Sequence, residues 1–279
     1  MELMSESGQP TPRVRLGRRV RRLRERRSLS LRQLSEQVGG YSHSYLGRVE
    51  LGDQLPSEAL VNSLDEFFDT DGVLAELLEM AHDTLIPDYS RISVSKEASA
   101  ERIQVFTSSV VPGLLQTEEY TRELFRRSLP GESEDQRNER VMVRMHRKRI
   151  FESEEAPYYW AIMDEAVLSR PVASAASMAG QLRHLLEVAV RPRITVQVLP
   201  FTKGAHPLMG GSLTFMTLKQ GGTVVLVESF ASGSGVDSTK RTVEMTERFD
   251  LARSLALTGD ESIDLIRRYL KEYEDECNF

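Results

Sequence analysis

Residues 30–52 read SLRQLSEQVGGYSHSYLGRVELG, and this stretch decides the fold of the first third of the chain. Ser30-Leu31-Arg32-Gln33 is an S-x-x-Q capping box, which opens a short helix whose inward residues are Leu31, Leu34 and Val38. Gly39-Gly40 ends it. Ser42 is placed to cap a second helix that buries Leu46 and Val49 and stops at Gly52. A short helix, a glycine turn and another short helix make the unit that places its second helix in the major groove of DNA.

Working outward, Leu16, Val20 and Leu23 repeat at helical spacing through 13–27, giving a helix ahead of the pair. Behind it, Pro56-Ser57 opens a helix carrying Leu60, Val61, Leu64, Phe67 and Phe68. After the turn at 69–72, Val73, Leu74, Leu77 and Leu78 mark a fifth. Five short helices therefore form an all-α head over 13–82, preceded by a flexible tail at 1–12.

Charge separates this head from the rest. Residues 1–50 hold 11 arginines against 5 acidic residues, a net of +6, while the whole chain of 279 residues carries −6, leaving −12 for residues 51–279. A basic head on an acidic body points the head at a polyanion. A single cysteine, Cys277, excludes an internal disulfide framework and a cysteine-built zinc site. No apolar stretch reaches membrane-spanning length and no signal-peptide core is present, so a cytoplasmic protein is expected.

Periodicity fades at 83–100, read as a linker, with a helical stretch at about 95–106 leading into a body at 101–279. Helices follow at 117–127 and, densely charged, at 133–151. Segments 158–163, 194–199, 212–218 and 223–228 read as strands, with an amphipathic helix carrying Met178, Leu182, Leu185 and Leu186 between the first two. Gly221-Gly222 marks a hairpin turn, and two helices at about 237–257 and 260–275 close the chain. The strand–helix–strand order gives a mixed α/β effector domain. The expectation is thus a multidomain protein, an all-α helix-turn-helix head followed by an α/β body.

The head resembles the phage-repressor (Cro-like, or XRE) family over roughly 14–70. The carrying residues are Leu16–Arg27, Ser30–Leu34 and Ser44-Tyr45-Leu46-Gly47-Arg48-Val49-Glu50-Leu51-Gly52 followed by Pro56-Ser57. The resemblance implies double-stranded DNA as partner and a two-fold dimer. It places base reading on Ser42, His43, Ser44 and Arg48, with Gln33 beside them in the DNA-binding set. It puts Arg32 and Tyr45 near phosphates, and makes Arg24 and Glu50 a structural ion pair. Two positions depart from the pattern. Leu31 stands where many members place a phosphate-holding glutamine. Gly47 sits mid-helix, either to bring the helix closer to DNA or to avoid a clash.

The body resembles the domain fused to such heads in actinomycete regulators of the WhiJ-like group. The residues that carry this are Val111–Thr117, Met163-Asp164-Glu165, Gln181-Leu182, Ile194–Pro200 and Gly204-Ala205-His206. That implies links to development and secondary metabolism, and a small partner protein encoded beside it. Arg144, Asp164, Glu165, His206 and Glu228 are the candidate ligand or partner site.

Asp164, Glu165, His206 and Glu228 would need to converge for catalysis. No nucleophile elbow, phosphate loop, zinc-protease motif or dinucleotide fingerprint accompanies them, so no enzyme, cofactor or metal is expected. The run Arg144, Arg147, Lys148 and Arg149 reads either as an anion site or as solvated helix surface. Residues 231–235 read as a flexible loop, Trp160 as core, His206 as a surface or turn histidine, and Asp164-Glu165 as helix capping. Apart from a ligand- or partner-sensing regulator, the sequence leaves open an antitoxin-like protein that sequesters its small partner, with autoregulation secondary, and, as a third reading, an enzyme fused to a DNA-targeting head.

Overall fold

The computed structural model describes residues 10–229, 232–236 and 238–277, which divide after Pro87 into two compact units. Most of the tail expected at 1–12, and the Ala231 end of the expected loop, lie outside the described residues.

The first unit is helical. Helices α1 (Pro12–Arg26), α2 (Leu31–Gln37), α3 (His43–Leu51), α4 (Glu58–Phe68) and α5 (Val73–Asp83) surround Leu16, Val20, Leu34, Leu46, Leu60, Leu64, Leu74 and Leu78. Pro12, whose ring presets the helical φ and whose missing N–H costs nothing at a first turn, opens α1. Gln33 N–H donates to Ser30 Oγ while Ser30 N–H donates to Gln33 Oε1, so both halves of the capping box form at α2. Ser42 and Ser57 cap α3 and α4 by accepting the Tyr45 and Leu60 N–H groups. Gly52 ends α3 at φ 77°, a backbone state that costs glycine little. Buried Asp65 ties α4 to the start of α5, accepting the Leu74 and Ala75 N–H groups at 3.0 Å each.

The second unit is built on a six-stranded sheet in the order β3-β2-β1-β4-β5-β6. Strands β1 (Ala100–Thr107), β2 (Tyr158–Asp164) and β3 (Ile194–Leu199) are parallel. Strands β4 (Ser212–Leu218), β5 (Thr223–Ser229) and β6 (Ser232–Gly235) continue it antiparallel. Helices α7 (Glu118–Ser128) and α8 (Glu134–Arg147) cross from β1 to β2, and α9 (Ala166–Ser169) and α10 (Ala175–Ala189) from β2 to β3. Helices α11 (Thr239–Leu255) and α12 (Gly259–Glu276) follow the sheet.

Both faces are covered. Ile103, Val105, Tyr159, Ala161, Met163, Val196 and Val198 share a core with Met178, Leu182 and Leu185 of α10. The alternate residues Phe106, Ile162, Leu199, Phe215 and Val225 pack with Phe249 and Ala252 of α11. Burial on both sides fits the nearly continuous apolar run of β2, whereas β3 alternates, with Thr195 exposed and Gln197 half-buried.

Four expectations are corrected. The segment read as a linker holds α6 (Asp88–Val94), with Ser90, Ser93 and Glu97 buried. The helix expected at about 95–106 is instead strand β1, paired on both sides, so sheet pairing overrides the helix-favouring composition. Ser232–Gly235 is an edge strand, not a loop. Trp160 is half-buried at the rim of the core, its Nε1 donating to Gln197 and its ring flanked by Arg102 and Arg253.

Candidate nucleic-acid interface

Helical spacing places His43, Ser44, Gly47, Arg48 and Leu51 of α3 along one strip. His43, Ser44, Arg48 and Leu51 are exposed, while Leu46 and Val49 point into the head core. The strip is backed by the exposed N-terminal turn of α2, with Arg32 and Gln33. Arg48 Nε donates to Gln54 Oε1 at 2.9 Å, so the loop after α3 orients this guanidinium. Sequence reasoning missed Gln54, whose role depends on the loop folding back.

Other residues of the expected set have partial commitments. Ser42 is exposed but its oxygen already caps α3. Gln33 Oε1 is held by Ser30, leaving its amide N–H groups. Arg32 faces solvent, 3.9 Å from Glu36. Tyr45 is half-buried, and its hydroxyl accepts the Ser57 N–H at 2.9 Å, tying α3 to the start of α4.

The arginine run on α1 is divided in purpose. Arg24 donates from Nε and Nη2 to the two Glu50 oxygens at 2.6 and 2.7 Å, and from Nη1 to the Leu29 carbonyl at 2.7 Å. Arg27 donates to the Phe67 carbonyl and lies over the Phe67 ring. Arg15, Arg18, Arg22 and Arg26 remain exposed. Helix α1 crosses α3 at Gly17, where a Cβ would fall 2.4 Å from the Val49 carbonyl oxygen.

At Gly47 a Cβ would sit 3.5 Å from Leu31 Cδ1, an ordinary contact. Steric exclusion by the head therefore does not explain this glycine. Gly47→Ala is expected to raise the stability of the head by up to about 1 kcal/mol, since alanine restricts the unfolded chain and favours helix. A lower melting midpoint for this variant would contradict that packing.

In the body the five candidate residues fall into two groups. Asp164 and His206 meet: His206 Nε2 and Asp164 Oδ2 are 3.0 Å apart, Nδ1 accepts the Leu208 N–H, and Asp164 Oδ1 accepts the Ala166 N–H. Both ring nitrogens are used in holding the turn to the end of β2. His206 is a turn histidine, but its side chain is 3% exposed rather than at the surface. Glu165 accepts from the Phe201 N–H and the Tyr269 hydroxyl.

Arg144 and Glu228 form the second group. On α8 and the turn after it, Arg144, Arg147 and Lys148 share one half-buried face, and only Arg149 of the run is exposed. Arg147 holds buried Glu97 through two bonds at 3.0 and 2.6 Å. Lys148 Nζ donates to the Gln116 carbonyl and lies 3.3 Å from His184 Nε2; burial, then Lys148, pushes that imidazole toward its neutral form. Arg144 Nη1 donates to Gln116 Oε1 at 3.2 Å. Glu228 accepts from Ser90 and Ser212 hydroxyls at 3.3 and 3.4 Å.

Among the described residues no group of three or more His, Cys, Asp or Glu side chains is arranged to hold a metal, and no helix is long and apolar enough to cross a membrane. A family model described as a helix-turn-helix domain matches residues 15–78, and one described as a domain of unknown function, DUF5753, matches 91–268. Neither a curated protein nor a solved structure gives a match.

Proposed function

Since the chain belongs to the DUF5753 family and carries a helix-turn-helix domain ahead of that region, we propose that it is a sequence-specific transcriptional regulator whose body senses a ligand or a small partner protein. The helix-turn-helix is the architecture of DNA-binding regulators. The observation that carries the reading is the solvent-facing strip of α3, where His43, Ser44 and Arg48 are free of the core and Arg48 is pre-oriented by Gln54. Arginine pairs with guanine O6 and N7 in the major groove, while histidine and serine donate or accept at base edges. Arg32 and the exposed arginines of α1 suit phosphates, which set register without reading sequence.

One head of this size binds weakly and mostly through charge at physiological salt. A homodimer on half-sites about one helical turn apart supplies the missing affinity. The resemblance to XRE-type heads and WhiJ-like bodies supports this arrangement, a cytoplasmic setting and a role in development or secondary metabolism. The body acts without catalysis in this reading, since the Asp164–His206 pair is fully engaged in bonds that hold a turn.

The test is a gel shift on the promoter next to the chain's own gene. Arg48→Ala and His43→Ala are each expected to lose roughly tenfold or more in specific affinity, on the order of 1–3 kcal/mol, with folding intact. Arg32→Ala is expected to weaken specific and non-specific DNA alike and to lower the salt slope by about 1. Wild-type binding by Arg48→Ala and His43→Ala would remove α3 as the reading helix.

A further inference from the structure

One face of the sheet in the second unit is only partly covered, and the residues left open share one chemistry. Toward the carboxyl ends of the parallel strands, Phe106, Ile162 and Leu199 are buried with Phe249 and Ala252 of α11. Toward their amino ends the same face opens. Strand pairing sets Tyr158, Arg102, Thr217 and Thr223 in one row across β2, β1, β4 and β5. The next row holds Thr195, Trp160 and Gln104 on β3, β2 and β1. Alternation along the strands puts both rows on the side of Phe106 and Ile162. Tyr158, Thr195, Thr217 and Thr223 are exposed, and Arg102, Gln104 and Trp160 are half-buried.

Arginines stand against both rings. Arg193 Cζ lies 5.2 Å from the Tyr158 ring centroid, and Arg102 and Arg253 Cζ lie 5.5 and 5.3 Å from that of Trp160. The Trp160 ring is fixed by its bond to Gln197 at 2.7 Å, and Gln197 in turn donates to the Leu257 carbonyl at 2.7 Å. Arg193 donates to the Ala156 carbonyl, which anchors the guanidinium beside Tyr158. Among the described residues Asp250 pairs with Arg253 at 3.2 Å, whereas no carboxylate pairs with Arg102 or Arg193. Three guanidiniums thus meet one carboxylate here, although residues 51–279 carry −12 in total.

We propose that this open part of the sheet binds single-stranded nucleic acid, with bases against Tyr158 and Trp160 and phosphates on Arg102, Arg193 and Arg253. Aromatic rings on an exposed sheet receive unpaired bases, whose faces are stacked away in a duplex, and guanidiniums take phosphates or stack on bases themselves. Tyr158 and Trp160 are two residues apart on one strand, about 6.6 Å, so neighbouring bases can meet neighbouring rings. The threonine and glutamine side chains around them offer neutral donors and acceptors for base edges. Residues spread in rows over five strands suit an extended chain, and the local excess of guanidinium suits a polyanion. The inference goes beyond the regulator reading and does not rest on it.

Trp160 is the one tryptophan of the chain, so its emission reports on this face and not on the head. The test is titration of the full-length chain with oligo-U RNA and oligo-dT DNA decanucleotides, followed by that emission. At least one of the two is expected to quench it saturably, and the two arms show which sugar is taken. Tyr158→Thr, which keeps a strand-favouring side chain, is expected to weaken binding about tenfold. Arg102→Gln/Arg193→Gln is expected to lower the salt slope by about 1.4 for two lost phosphate contacts. Lys271→Gln, on α12 against the opposite face, is expected to change neither. Emission unchanged by both oligonucleotides would overturn the site whatever the variants do. Equal quenching by a blunt duplex would also overturn it, as would wild-type affinity and salt slope in folded Tyr158 and arginine variants. Operator binding by the head is measured on duplex DNA, so failure of this site and failure of the regulator reading are distinguishable.

Discussion

Replacing Glu50 with alanine is expected to destabilise the head by about 3–5 kcal/mol, the range for breaking a buried ion pair by removing one partner. Glu50 is 5% exposed in its side chain and receives two bonds from Arg24, which also holds the Leu29 carbonyl. Removing the carboxylate strands the guanidinium among α1, α3 and the α1–α2 turn. A small domain has only about 5–15 kcal/mol in total, so much of the head's margin is lost. The double variant Arg24→Met/Glu50→Leu should be milder than Glu50→Ala, because no charge is left behind. Urea unfolding followed by hydrogen exchange over the head would measure both. A loss under 1 kcal/mol for Glu50→Ala would show that the pair does not hold α1 to α3.

The second large effect is expected at Gly17. A Cβ there meets the Val49 and Glu50 carbonyl oxygens at 2.4 and 2.8 Å, and both are backbone atoms that no rotamer change can move. Gly17→Ala should therefore destabilise the head by about 1–3 kcal/mol or more through overpacking. Because Val49 and Glu50 belong to α3, operator affinity should fall along with stability. The contrast with Gly47→Ala is informative: one substitution has opposite signs at two helical glycines, decided by what lies opposite. Thermal melts of the two variants side by side would check this, and equal shifts would contradict it.

How much of this was legible in the sequence depended on how far each interaction reaches. The helix pair at α2 and α3 could be read because its signals are local: Ser30 with Gln33, Ser42 as cap, Gly52 as stop. Strand β2 showed as an apolar run because both its faces are buried, and β3 as an alternation of Ile194, Val196 and Val198 with Thr195 and Gln197. Strand β1 did not, since Ala100, Glu101, Arg102 and Gln104 favour helix and only pairing to β2 and β4 makes them extended. Gly17 and Gln54 carried no local sign, their partners being α3 and a folded-back loop.

The candidate list for the body held residues that the fold uses in two different ways. Asp164 and His206 meet in one turn, while Arg144 is bonded to Gln116 and Glu228 to the Ser90 and Ser212 hydroxyls. Residue type alone could not separate these cases, because the difference lies in which partners the sheet brings to each. The same is true of the α8 run. Helical spacing put Arg144, Arg147 and Lys148 together, but only Gln116, Glu97 and Gly113 show that this face points inward.

The central claim, that the exposed strip of α3 reads DNA sequence, is tested most directly by genome-wide mapping of binding sites for wild type and Arg48→Ala in parallel. Wild type is expected to give discrete sites sharing a two-fold motif with half-sites about one helical turn apart, and Arg48→Ala to lose the preference for guanine at one position of each half-site. Wild-type occupancy no better than background, or an Arg48→Ala map with the same sites and the same base preference, would contradict it.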